Sequence, residues 1–275
     1  MAEAGSELNP SDGISQEEIQ KKIEEVEYTG RKTGPTLGMI IGIIGAVWSL
    51  FQLWIASPLP FLFDFGIIVG VPARGIHLAF AFLLVFLMFP AAKSMAHRRI
   101  SYLDIAFALL ACFCALWVFI DQEGITRRLG QLLSIDLFGS NFPIEAVLGG
   151  CGILLLLEST RRAIGLPLVI VASIFLLYSI FGQSMPEILS HRGVSVTRLI
   201  GYHWIGGEAI FGIPIDVSVS FVFLFVLFGA LLDRAGAGKY FLDLAFAMVG
   251  KYRGGPAKAA ILASGMTGLI SGSSI

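Results

Sequence analysis

The residues best suited to chemistry gather at the end of the sequence, in Ser264-Gly-Met-Thr-Gly268-Leu-Ile-Ser271-Gly-Ser-Ser274-Ile275. Glycine and serine lower the barrier to unwinding a helix, and an unwound turn exposes carbonyl and hydroxyl oxygens. Ser271, Gly272, Ser273 and Ser274 could therefore offer hard oxygen ligands to a small cation such as Na⁺. The plain alternative is a continuous helix whose serine hydroxyls bond back to its own carbonyls. The run follows a membrane-grade apolar stretch and has no closing positive flank. In lipid, unwound backbone is tolerated only where protein buries it or where it lines a solvated cavity. Broken helices at membrane depth hold ions and substrates in many secondary transporters. The expectation is a chain that stops inside a transport element, at the tip of a first half-helix, with its remainder missing.

Other chemistry is thinly represented. His77, His97, His191 and His203 show no metal-ligand spacing with one another or with Cys112, Cys114 and Cys151. The cysteines lie in apolar runs and read as small hydrophobes. Gly236-Ala-Gly238-Lys239 lacks the leading glycine spacing of a phosphate loop and the hydroxyl after lysine, so ATP-driven pumping finds no support. A membrane-embedded enzyme would need clustered His, Asp or Glu on one membrane face, and none is visible. Asp104 opens an apolar run shortly after Arg98 and Arg99, where ion pairing at the membrane edge outweighs a proton relay. Glu145 and Glu158 occupy similar edge positions. Gly38-x-x-x-Gly42 with Ala46 and Ser49 gives a small-residue face that predicts a helix-packing seam. Trp48, Trp54, Trp117 and Tyr102 fit an aromatic belt at the interfaces.

The elements that must position these residues are membrane helices. The chain is 56 % hydrophobic and only 14 % charged, against about a quarter charged in a soluble domain. A net charge of −1 offers no basic surface for nucleic acid. Apolar runs of about 20 residues mark spans, here 36–56, 75–93, 101–120, 144–160, 165–182 and 212–232. Lys and Arg placement puts the N-terminus in the cytoplasm, with the loops 57–74, 121–143 and 183–211 outside. Residues 1–35 are acidic and polar, unlike a secretory leader. Ser15-x-x-Glu18 there suggests a capped solvated helix. After the sixth span, 239–250 is too short to cross and predicts a cytoplasmic interfacial helix. Gly254-Gly255-Pro256 breaks the chain, and 257–270 dives back as the start of a re-entrant hairpin, or as an ordinary helix cut short.

These residues resemble a known family. Phe211-Gly-Ile-Pro214, Phe221-Val-Phe-Leu-Phe-Val-Leu-Phe-Gly229-Ala, Gly236-Ala-Gly238-Lys239, Arg253-Gly-Gly-Pro256-Ala-Lys258 and Ile270-Ser-Gly-Ser-Ser274 are similar to the start of the large membrane subunit of TRAP transporters, the tripartite ATP-independent periplasmic transporters. Leu157-Glu-Ser-Thr-Arg161-Arg162-Ala-Ile-Gly165 and Phe175-Leu-Leu-Tyr178-Ser-Ile-Phe-Gly182 resemble the fused permeases of the TAXI subgroup. The likeness is specific over 157–275 and topological over 36–156.

The resemblance implies an all-α membrane protein of the elevator type, in a bacterial or archaeal inner membrane. It divides the chain into a polar segment 1–35, a small-subunit-like four-helix domain 36–160, a connecting helix 161–182 and a truncated large-subunit part 183–275. It implies uptake of small organic anions, carboxylates above all, coupled to a sodium gradient and fed by a periplasmic solute-binding protein. No cofactor is implied beyond Na⁺ as coupling ion, and Ser271-Gly-Ser-Ser274 falls on the hairpin tip that helps to form the sodium and substrate sites. The remaining helices and second hairpin of the family are missing, so this length alone is not expected to transport. The rival reading is a non-transporting membrane scaffold or assembly subunit, complete as it stands.

Overall fold

The computed structural model describes residues 30, 31, 34–92, 100–128, 131–137 and 140–271. The capped helix expected after Ser15 and the tip residues Gly272, Ser273 and Ser274 lie outside them. The helices in order are α1 (Pro35–Ala56), α2 (Leu59–Phe63), α3 (Val71–Met88), α4 (Tyr102–Ile120) and α5 (Gln122–Arg127). A two-stranded antiparallel hairpin, β1 (Ile135–Leu137) and β2 (Ser140–Phe142), follows, with Asp136 opposite Asn141. Then come α6 (Ile144–Ala163), α7 (Leu166–Ile180) and α8 (Val196–Ile200). The apolar helix α9 (Ile213–Arg234) precedes α10 (Ala237–Val249) and α11 (Gly255–Ser271).

Local sequence explains the boundaries. Pro35 opens α1 at a position where its missing N–H costs nothing. Ser57 closes it, its hydroxyl donating to Trp54 O at 2.8 Å. Ser101 caps α4 by accepting from Leu103 N. With Pro72 in its first turn, α3 starts at Val71, four residues before the expected 75, and extended Phe89 ahead of Pro90 ends it before the expected 93.

Among the described residues, four helices are long and apolar enough to cross a bilayer: α1, α3, α4 and α9, of 22, 18, 19 and 22 residues. The other two expected spans behave differently. At 20 residues α6 is longer than the expected 144–160, and it takes Arg161 and Arg162 into its last turn instead of ending before them. At 15 residues α7 is apolar but reaches only about 23 Å.

The core sits where α3, α4 and α6 meet. Ala108, Ala111, Ala115 and Val118 recur at helical spacing on α4 and are all buried. This small-residue face lets α3 approach closely and seats Phe82 and Phe86, which are 1 % and 0 % exposed. Lipid tails are as apolar as leucine, so close packing and internal hydrogen bonds drive such contacts more than escape from solvent does. The seam predicted on α1 is not used in this way, because Gly42 and Ala46 are exposed. The buried residue of α1 is Gln52.

Two ionic clusters clamp the ends of the bundle. At one end Asp104 accepts from Arg31 Nη2 at 2.6 Å and from Arg162 Nη1 at 2.7 Å. Glu158 pairs with Arg161 and Arg162, both at 2.7 Å. Arg161 also donates to Ala91 O at 2.9 Å, and the Arg162 guanidinium lies 4.8 Å from the Phe86 ring centre. Asp104 is thus an edge ion-pair residue as expected, with different partners: Arg98 and Arg99 lie outside the described residues, and a distant helix supplies Arg162. At the other end the fully buried Glu145 accepts from Arg128 at 2.5 Å, Leu133 N at 2.7 Å and Trp117 Nε1 at 3.3 Å. Trp117 therefore serves the interior, whereas Tyr102 is 92 % exposed.

Candidate functional site

The expected site residues belong to the last helical pair. Gly254, at φ +75°, takes up a left-handed turn that favours glycine, and Pro256 then starts α11. The five-residue turn folds α11 back along α10, and the two pack through Ala245, Ala259 and Ala263 with Val249 beside them. The contact of Ala263 with this set carries the packing about two turns along α11 from the bend. Asp243 on α10 and Lys251, Tyr252 and Arg253 in the turn are exposed. The 17 described residues of α11 span about 26 Å. Its backbone stays helical to Ser271, the first of the four candidate ligands. One hydroxyl in this helix already bonds to its own backbone: Thr267 Oγ1 donates to Ala263 O at 2.9 Å. Ser271 is the last described residue of the pair.

A polar seam joins α9 to α1 and α3. Arg74 of α3 donates to Asp216 Oδ1 at 2.9 Å and to Phe211 O at 2.7 Å. Nearer mid-helix, His77 Nδ1 receives the Trp48 indole N–H at 3.3 Å and the amide of Gln52. His77 Nε2 lies 3.1 Å from Ser218 Oγ. The Trp48 indole can only donate, so Nδ1 is assigned as acceptor, which puts the ring proton on Nε2, donating to Ser218. Ser218 begins a π-turn (Ser218–Val222) inside α9, a distortion that often marks functional positions.

A second π-turn, Gly201–Ile205, follows α8. It drives Trp204 into the core with no exposed surface. Trp204 Nε1 donates to Cys114 O at 3.1 Å, and its ring stacks on Phe82. Gly152 makes room for the indole, since a Cβ there would lie 2.3 Å from the ring. Both π-turns therefore meet helices from the first half of the chain. A groove lined by Leu132, Ser195, Thr197, Arg198, Gly201 and Tyr202 also bridges the two halves.

Sequence reasoning considered the histidines only as metal ligands, and the described ones satisfy protein partners. His191 Nε2 donates to Tyr178 O and its Nδ1 accepts from Gly193 N. His203 Nδ1 donates to Leu199 O. What escaped notice was the Gln52–His77–Ser218 seam, although a glutamine and a histidine in apolar spans are themselves a signal. Trp48, expected in an interfacial belt, belongs to this seam, and Trp54 Nε1 donates to Gly66 O at 3.3 Å.

No curated protein and no solved structure matches the chain. Residues 151–275 match the family model described as the tripartite ATP-independent periplasmic transporter, DctM component. The matched stretch takes in the end of α6, both π-turns and the α10–α11 hairpin. Over residues 151–275 the chain is therefore similar to the DctM component of the TRAP transporters, a family of membrane permeases for solute uptake and not of enzymes.

Proposed function

We propose that the chain is part of a fused TRAP permease of the TAXI type that takes up a small organic anion, coupled to a sodium gradient. The family match over residues 151–275 carries this reading. The α10–α11 hairpin supports it, because α11 leads toward a run of glycine and serine whose hydroxyl and carbonyl oxygens suit a small hard cation. In this reading Ser271, Gly272, Ser273 and Ser274 help to hold Na⁺, which the substrate carboxylate approaches. Residues 36–160 act as the small-subunit brace, 161–182 as a connector and 183–275 as the start of the moving large-subunit part. The N-terminus is cytoplasmic in the inner membrane. A periplasmic solute-binding protein docks on the outward loops, where a groove opens beside Arg198 and Tyr202.

The test is uptake of a labelled carboxylate into proteoliposomes holding the complete permease, with its binding protein and an imposed sodium gradient. Ser271→Ala with Ser274→Ala is expected to weaken sodium activation at least tenfold at unchanged protein level. Unaltered sodium dependence would remove these serines from the site, and uptake indifferent to sodium would remove the coupling ion.

A further inference from the structure

The polar seam has a property that transport by the family does not require. Gln52 is fully buried, and its Oε1 has no partner among the described residues. His77 is 7 % exposed and is held by donors on one nitrogen and a hydroxyl on the other. This arrangement accepts only the neutral ring. In the imidazolium form both nitrogens carry protons, and Nδ1–H would then face two N–H groups. Gln52 could turn its amide to offer Oε1, yet the Trp48 indole would still lose its acceptor.

The charges on the surrounding elements do not compensate. No Asp, Glu, Lys or Arg lies in α1. On α3, Arg74 is one turn away, and Asp216 of α9 is already paired with it at 2.8 Å. The acids of α4 and α6 are likewise engaged, Asp104 with Arg31 and Arg162, Glu145 with Arg128, and Glu158 with Arg161 and Arg162.

We propose that His77 is a positioning residue whose neutral ring clasps the π-turn of α9 to α1 and α3, and whose protonation releases it. The clasp joins the first half of the chain to the DctM-matched half inside the apolar layer, where an unpaired charge is expensive. Acid therefore loosens one seam between the halves without touching the ion pairs at the bundle ends.

Replacing His97, His191 and His203 by Gln leaves His77 as the sole histidine of the four in the chain. The intact chain carrying these substitutions is placed in lipid nanodiscs and melted between about pH 8 and about pH 5. Its melting temperature is expected to fall by several degrees on acidification, because the unfolded chain takes up the proton that the seam refuses. His77→Gln, which bonds but does not titrate in this range, should flatten the profile. A sole-His77 chain with no acid slope, or a His77→Gln chain that keeps the slope, overturns the proposal. Should His77→Gln fail to fold, ¹⁵N resonances of the sole-His77 chain decide: at neutral pH Nδ1 must be unprotonated and Nε2 protonated, and the reverse tautomer defeats the clasp. Neither readout involves uptake, so failure here is separable from failure of the transport reading.

Discussion

Asp104→Asn is the perturbation whose cost follows most directly from the geometry. The carboxylate lies between Arg31 and Arg162, whose side chains are 3 % and 2 % exposed. Removing its charge does not strand both cations equally. Arg162 keeps Glu158 at 2.7 Å and its place over the Phe86 ring. Arg31 has Asp104 as its carboxylate among the described residues, so it becomes the uncompensated charge. One stranded buried charge costs about 3–5 kcal/mol. At about 2–4 °C per kcal/mol for a chain of this class, the melting temperature should drop by about 6–20 °C. The assay is thermal unfolding of the purified protein in nanodiscs, at low and high salt. Added salt should change the loss little, because buried pairs are poorly screened. The double variant Arg31→Met with Asp104→Asn removes both members and should recover most of the loss, to within about 1 kcal/mol of the native protein. The reasoning fails if Asp104→Asn costs less than about 1 kcal/mol, the range of a surface pair, or if the double variant is no more stable than the single one.

The remaining predictions use the same assay. Arg127 and Glu123 form a pair whose side chains are 79 % and 86 % exposed, so Arg127→Ala should shift stability by less than about 0.5 kcal/mol. A loss comparable to that of Asp104→Asn would show that exposure does not rank these pairs. Gly152→Val places carbon against the Trp204 indole and should cost about 1–3 kcal/mol by overpacking, read as a lower melting temperature and quenched tryptophan protection. Gly42→Val on the exposed face of α1 is the matched control, since a Cβ there meets nothing within 4 Å and should be nearly neutral.

Helix positions were largely legible because membrane helices announce themselves by length and apolarity. The runs at 36–56, 101–120 and 212–232 differ from α1, α4 and α9 by no more than two residues at either end. The glycine–proline break at 254–256 likewise marks the bend before α11, because positive φ and a missing donor are properties of single residues. The functional candidates are a local feature too: Ser271 through Ser274 stand out by composition, whatever surrounds them.

Partnership was another matter. Asp104 could be read as an edge acid from its place in the run, but Arg31 and Arg162, 73 and 58 residues away, became its partners only through folding. Gly152 looks like any other glycine of α6 until Trp204 arrives against it. His77 and Ser218, 141 residues apart, carry no mutual signal in sequence, yet the tertiary structure sets them 3.1 Å apart. Hydropathy records what each segment tolerates around it, averaged over a turn or two, and so determines which segments enter the membrane. Hydrogen bonds and charge pairs are short-ranged and directional, so their identity is decided only when packed helices bring specific atoms within reach.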